Sequence, residues 1–395
     1  MATGPAAARR PAGAGGEAGR VDRRRFLALA GAAAAALPLA ARAAAAGYRA
    51  EAYGRAIVID ALGGPGDYDA TAAEDAPLSA RAVADARDSG LTAVNLTVSA
   101  VGNGPGRFEQ TVANIARADR ELALHPDAFL HVLAARDLRS AKDSRRVGLI
   151  YGFQDTSMLE GDLGRLELFA GLGVRIVQLT YNRRNLMGDG CLEPADGGLS
   201  LLGRELIAEL ARRHLLLDLS HAGPRTIAEG IAASPGPLAI SHTGCRALAD
   251  LPRNTGDAAL RALADKGGVA GIYWMSFLRS GGQPHAGDLI RHIEHAVDVC
   301  GEDHVGLGTD GPISAAPMDE AFRAAHRADV ARRVKAGISA PGESPDVFNV
   351  IPEYNAPRRF LLLAEELAGR GWPASRIEKL IGGNFARLFA EVWGG

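Results

Sequence analysis

The amino-acid sequence predicts an α/β domain of the (β/α)8 class, a TIM barrel with extra C-terminal helices. Three observations predict it. Eight short apolar, β-prone runs alternate with segments of helical periodicity between residues 56 and 308. The runs are apolar throughout, as strands buried on both faces require, and strict strand-then-helix order implies a parallel sheet. Polar groups able to bind a metal or move a proton stand at the ends of several runs, where such a barrel gathers its reactive side chains. A doubly wound open sheet is the alternative architecture.

The first run, Ala56–Asp60, ends in an acid and enters the Gly/Pro-rich stretch Ala61–Gly66, which reads as a loop. Helix Arg81–Asp88 leads to strand Leu91–Val98, and helical spacing follows over Phe108–Leu124 and Asp127–Ser140. Strand Val147–Phe153 stops at Gln154. Next come helix Asp162–Ala170, strand Val174–Thr180, a long loop through Asp189-Gly190-Cys191, helix Leu202–Arg213, strand His214–Leu219 and helix Pro224–Ala232. Strand Leu238–Ser241, helix Asp257–Lys266, strand Val269–Tyr273, helix Asp288–Val299 and strand His304–Gly308 complete the eight units. Beyond them Ile338–Tyr354 reads as loop, and the amphipathic helices Arg358–Gly369 and Ser375–Val392 are placed across the barrel. Residues 48–395 therefore read as one domain without internal repeats.

Residues 1–47 read as an export signal. Asp22-Arg23-Arg24-Arg25-Phe26-Leu27 resembles a twin-arginine motif, and the apolar run Phe26–Ala41 is broken by Pro38 and short for a membrane span. The expectation is a periplasmic or extracellular protein with no stable span once the signal is removed; an uncleaved anchor is the alternative. The composition, 47% hydrophobic and 23% charged, is that of a globular protein. A net charge of −2 gives no electrostatic reason for a nucleic-acid partner, so the expected partner is a small molecule. Three cysteines without CxxC spacing argue against both a disulfide framework and a cysteine zinc site. The glycine-rich segments lack a phosphate-loop pattern, and no Gly-x-Ser-x-Gly elbow occurs.

Asp60, Gln154, Tyr181, His221, His242 and Asp310 fall at or just past predicted strand ends. Two imidazoles and a carboxylate suit zinc or a related divalent ion, with the carboxylate as ligand or as base for the water that the metal acidifies. Asp310 before Gly311-Pro312 can equally be a turn residue, and Asp218 reads as a turn cap or as a group orienting His221. Arg253 at the mouth reads as a clamp for a substrate carboxylate or as a surface ion pair. The eight other histidines take a structural reading.

These residues resemble the membrane (renal-type) dipeptidases, metal-dependent barrels related to the amidohydrolases. The resemblance rests on Gln178-Leu179-Thr180-Tyr181-Asn182 with Asn185, Gly188-Asp189-Gly190, Gly197-Gly198-Leu199-Ser200 and Asp218-Leu219-Ser220-His221. It continues through Ser241-His242-Thr243, Arg253-Asn254, His304 to Asp310, and Gly383-Asn384 with Arg387. It implies a hydrolase of dipeptides or related small carboxylated amides. It implies His221, His242 and Asp310 as metal ligands, with Asp310 also handling the proton, and Arg253, Tyr181 and Asn182 as substrate contacts. The family holds two zinc ions bridged by a glutamate, one of them also bound by a His-x-Asp pair after the first strand. Here that pair is replaced by Leu62 and Gly64, and the bridging glutamate by Gln154. The expectation is one divalent ion, with Gln154, Asp60 or a loop acid (Asp67, Asp69) completing its shell. A retuned metal or substrate, and a non-catalytic binding barrel, are the alternatives; a homodimer is compatible with all three.

Overall fold

The computed structural model of the protein describes residues 48, 50–68 and 75–394, so the segment read as an export signal and Asp69 lie outside the described residues. Among the described residues there are ten strands: β1 (Ile59–Gly64), β2 (Ala93–Thr97), β3 (Phe129–His131), β4 (Val147–Phe153), β5 (Val174–Gln178), β6 (Leu216–Asp218), β7 (Ala239–Thr243), β8 (Val269–Ile272), β9 (Val305–Leu307) and β10 (Gly311–Pro312). Eight of them form the expected ring, β1-β2-β4-β5-β6-β7-β8-β9, with every pairing parallel. β9 runs through Gly308–Asp310 into β10, whose parallel pairing with Gly63 and Gly64 of β1 closes the circuit. This is the (β/α)8 architecture with helices outside and further helices at the C-terminus.

Two expectations need correction. The predicted helix Asp127–Ser140 begins as β3, because Phe129, Leu130 and His131 find their backbone partners along Val147–Leu149 of β4. The helix starts only at Arg136, where Asp137 accepts hydrogen bonds from the N–H groups of Leu133 and Ala134. In addition, β1 continues through the stretch read as a loop, so Asp60 is the second residue of the strand rather than its end. Its backbone pairs with Val94 of β2 there, and the residue is 2% exposed.

The N-terminal end of the barrel is plugged. Ile59, Ala93, Ile150, Ile176, Leu216, Ala239 and Val269 from seven strands meet Phe385, Leu388 and Phe389 of the last helix, Asn384–Trp393. Burying each large member of that cluster contributes roughly 1.5–3 kcal/mol. The plug depends on Gly382, where a Cβ would lie 2.5 Å from Ile57 O and 2.6 Å from Ile59 N; only glycine lets the chain pass this close to the start of β1. Asn384 then donates to the carbonyls of Glu302 and Val305 at 2.8 Å each, fixing the helix under β9. The reactive groups are left at the other end, where the strands run out into loops.

That end carries an element the sequence reading passes over, helix Glu320–Lys335. Its apolar residues form no stripe, and only Phe322 and Val330 are buried. Phe322 packs with Ala316, Phe348 and Val350 in a small cluster of their own. Gln283 Nε2 ties the following loop down by donating to Phe348 O at 3.0 Å and Val350 O at 2.7 Å.

Candidate active site

His221, His242 and Asp310 meet at the open end. One ring nitrogen of each histidine and one Asp310 oxygen all lie within 4.8 Å of one another. His221 stands three residues beyond the end of β6 and Asp310 three beyond β9, while His242 lies within β7. His221 (φ 63°) and Asp310 (φ 57°) both hold left-handed backbone conformations that non-glycine residues avoid. Each costs on the order of 1–3 kcal/mol, and such strain gathers at functional sites.

Each imidazole has one nitrogen occupied and one free. His221 Nδ1 is 2.6 Å from Asn182 Oδ1, and Asn182 Nδ2 donates to Ile338 O at 3.0 Å, which fixes the amide's direction. His242 Nδ1 is 2.8 Å from Ser241 Oγ, whose own hydrogen goes to Asp218 Oδ2. Both Nε2 atoms are buried without a hydrogen-bond partner. Burial holds both rings well below the usual histidine range, helped by the nearby Arg253 cation, so both present neutral lone pairs.

Asp218 anchors this arrangement. It accepts from Ser220 N (2.9 Å), Ser220 Oγ (2.7 Å), Ser241 N (3.0 Å) and Ser241 Oγ, and burial raises its carboxyl. Of the two histidines it therefore supports His242, through Ser241, and not His221. Gly190 lets the preceding loop close on His221: a Cβ there would meet Tyr181 O at 2.1 Å, and the neighbouring Cys191 N donates to His221 O at 2.7 Å. Tyr181 stacks on the His221 ring with centroids 4.2 Å apart.

Asp310 is pushed up to about 6 by burial, against the pull of Arg253, a side-chain hydrogen bond from Gln154, and Arg333. Gln154 thus reaches the cluster as a donor to Asp310. Arg253 is 4% exposed, lies 5.8 Å over the Tyr273 ring, and leaves Nη2 without a partner. Its loop is held by Asn254, which donates to Ala249 O at 2.7 Å and Phe277 O at 2.9 Å. A cavity of about 300 Å³ adjoins His221 and Arg253, walled by Leu219, Ile227 and Ala259.

Three expected roles change. Asp60 is not beside the cluster as a ligand: Thr309 N (2.8 Å), Thr309 Oγ1 (2.6 Å) and Leu62 N (3.3 Å) occupy its oxygens, and burial pushes it up to about 7. Asn182, expected to touch substrate, is 1% exposed with its amide committed to His221 and Ile338. Asp67 accepts from Ser79 Oγ and is no member of the cluster. One residue was missed. Arg333, on helix Glu320–Lys335, acts on Tyr181 and pairs with Glu343 through Nε (2.8 Å) and Nη2 (2.7 Å). No periodicity marked that helix, and Arg333 is one of three basic residues in its last turn.

Among the described residues, one group of three suits a divalent ion. His221, His242 and Asp310 supply two free imidazole nitrogens and a carboxylate, an ordinary set for zinc or a similar metal. On the side of a second ion, Leu62 is an apolar side chain 3% exposed, Gly64 has no side chain, and Gln154 is a neutral amide already engaged with Asp310.

Comparison with known proteins agrees with the fold. A model of the membrane dipeptidase family (peptidase family M19) matches residues 70–319. The crystal structure of an amidohydrolase from Pseudomonas aeruginosa is 33% identical with a TM-score of 0.75, over 88% of this chain and 99% of that one. An uncharacterized protein from the pqqA 5′ region of Klebsiella pneumoniae is 26% identical over 286 residues, 69% of this chain and 93% of its own length. The dipeptidase verJ of Clonostachys rogersoniana is 31% identical over 169 residues, 42% of this chain and 44% of its own length. With more than half of the sequence matched, in a barrel whose open end holds two histidines and an aspartate together, the chain belongs to the membrane dipeptidase family of metallopeptidases.

Proposed function

We propose that the protein is a metal-dependent hydrolase that uses one divalent ion, zinc or a similar metal, to cleave the amide bond of dipeptides or related small amides carrying a free carboxylate. One observation carries the reading: two buried histidines, each with an Nε2 that has no partner, bring a ring nitrogen each within 4.8 Å of one another and of an Asp310 oxygen. Buried polar atoms are normally satisfied, so two unsatisfied lone pairs beside a carboxylate mark a cation's place.

When bound, such an ion supplies a Lewis acid and a water of lowered pKa. The protein's residues do the rest. Asn182 and Ser241 each accept the Nδ1 proton of a histidine and so keep both Nε2 lone pairs turned inward. Asp310, near neutrality rather than in the usual carboxylate range, takes a proton from the attacking water and returns it to the leaving amine. Gln154 orients that carboxylate by donating to it. Arg253, with Nη2 free, holds the substrate's carboxylate and aligns the scissile bond. Names among the relatives support the substrate class: dipeptidase for the Clonostachys protein and amidohydrolase for the Pseudomonas one.

The experiment is a hydrolysis screen over dipeptides with L- and D-configured C-terminal residues, run on metal-stripped and zinc-restored protein. Turnover that appears with metal and is lost in Asp310→Asn supports the reading. No turnover by metal-loaded protein on any carboxylated amide would overturn it in favour of a binding barrel.

A further inference from the structure

We propose that the preferred substrates lack a free ammonium group on the acyl side, being N-acyl or dicarboxylic amides of a small amino acid, and that Arg333 sets this preference. The inference rests on the amide-hydrolase reading above and concerns which amides the site accepts.

Asp310, Arg253 and Arg333 are charged side chains that act on the site, and Glu343 pairs with Arg333. Arg333 is placed there by a well-tied segment. Asn182 donates to Ile338 O at 3.0 Å, and Arg183 donates to Gly337 O through Nε (2.9 Å) and Nη2 (2.7 Å). Glu343, which also accepts from Ser339 Oγ at 3.0 Å, fixes two guanidinium nitrogens from one side. From the other side Arg333 acts on Tyr181, whose ring lies on the candidate ligand His221 and whose neighbour Asn182 holds Ile338 of the same segment. The ion pair therefore has its cationic end toward the site.

A dipeptide brings a carboxylate, which Arg253 takes, and an ammonium, which needs an acceptor. Asp310 is assigned to proton transfer. The neighbouring acids are occupied: Asp155 accepts from Gly102 N and Asn185 Nδ2, and Asp189 is paired with Arg184 at 2.6 Å and 2.9 Å. The two positions where the family's pattern has further carboxylates hold Gly64 and Gln154. With a divalent cation bound, an ammonium enters a field of net positive charge, whereas a neutral acyl group or a second carboxylate does not. Arg333, which acts on Tyr181 at the mouth, is the cation that an acyl-side charge would meet.

The test compares kcat/KM for glycyl-D-alanine, N-acetyl-D-alanine and N-succinyl-D-alanine, which share one leaving amino acid, in zinc-loaded wild type and in Arg333→Gln, Arg333→Lys and Glu343→Gln. The wild type is expected to favour the acylated substrates by about tenfold or more. Arg333→Gln should narrow that ratio, Arg333→Lys should keep most of it, and Glu343→Gln should widen it. A purely structural role for Arg333 would lower all three substrates together. A wild type that turns over glycyl-D-alanine as well as or better than the acylated pair overturns the inference and leaves the hydrolase reading standing. A ratio unmoved by Arg333→Gln removes the role of Arg333. Turnover of none of the three overturns both.

Discussion

Asn182 Oδ1 lies 2.6 Å from His221 Nδ1 while Asn182 Nδ2 donates to Ile338 O, so one buried amide sets the tautomer of a metal-ligand candidate and ties down the loop that follows Arg333. Asn182→Leu keeps the bulk and removes both bonds. Metal affinity, measured by competition with a chromogenic chelator, is expected to fall by about 10- to 100-fold. Unchanged affinity would mean that His221 is not a ligand or needs no orientation.

Asp60 gives the pH dependence of stability. Burial holds its carboxyl at about 7 in the folded chain, whereas the unfolded chain releases the proton near the ordinary carboxylate value of 3.8. Between these values the native state binds more protons than the unfolded state, so this group's contribution to stability falls as pH rises from about 4 to about 7. Asp60→Asn carries no such charge, and Thr309 Oγ1 can turn to accept from the new amide. In metal-stripped protein the variant is expected to gain on wild type as pH rises, on the order of 2–4 kcal/mol by pH 7. Urea unfolding at pH 4 and pH 7 measures it; a difference independent of pH contradicts the assignment.

Arg253 is buried with Nη2 free, and a substrate carboxylate is the partner it lacks. Arg253→Ala is expected to raise KM for carboxylated substrates by about 10- to 100-fold, and to change substrates with an amidated C-terminus far less. Steady-state kinetics on a matched acid and amide pair checks this. Equal effects on both would assign Arg253 to the scaffold.

Much of this was legible in the sequence because a parallel barrel converts strand ends into neighbours. His221, His242 and Asp310 each follow or end an apolar run, and all three reach one cluster. Asp60 looked alike and was not, because its partner Thr309 is 249 residues away and takes both oxygens. Asp218 and Asn182 are conspicuous in sequence, yet which histidine each serves depends on side-chain direction, which strand periodicity does not give. Arg333 was invisible for another reason. Its helix buries only Phe322 and Val330, so no apolar stripe announced the helix or the residue it delivers. The strand at Phe129–His131 was hidden by the opposite effect, a helical spacing overridden by pairing with β4.

The central claim is a single-ion site, and metal content tests it most directly. Protein purified without added metal, then titrated with zinc and analysed by mass spectrometry of the metal, is expected to hold one ion per chain in wild type and to lose it in both His221→Ala and His242→Ala. Two ions per chain, or one ion retained in both variants, would contradict the account.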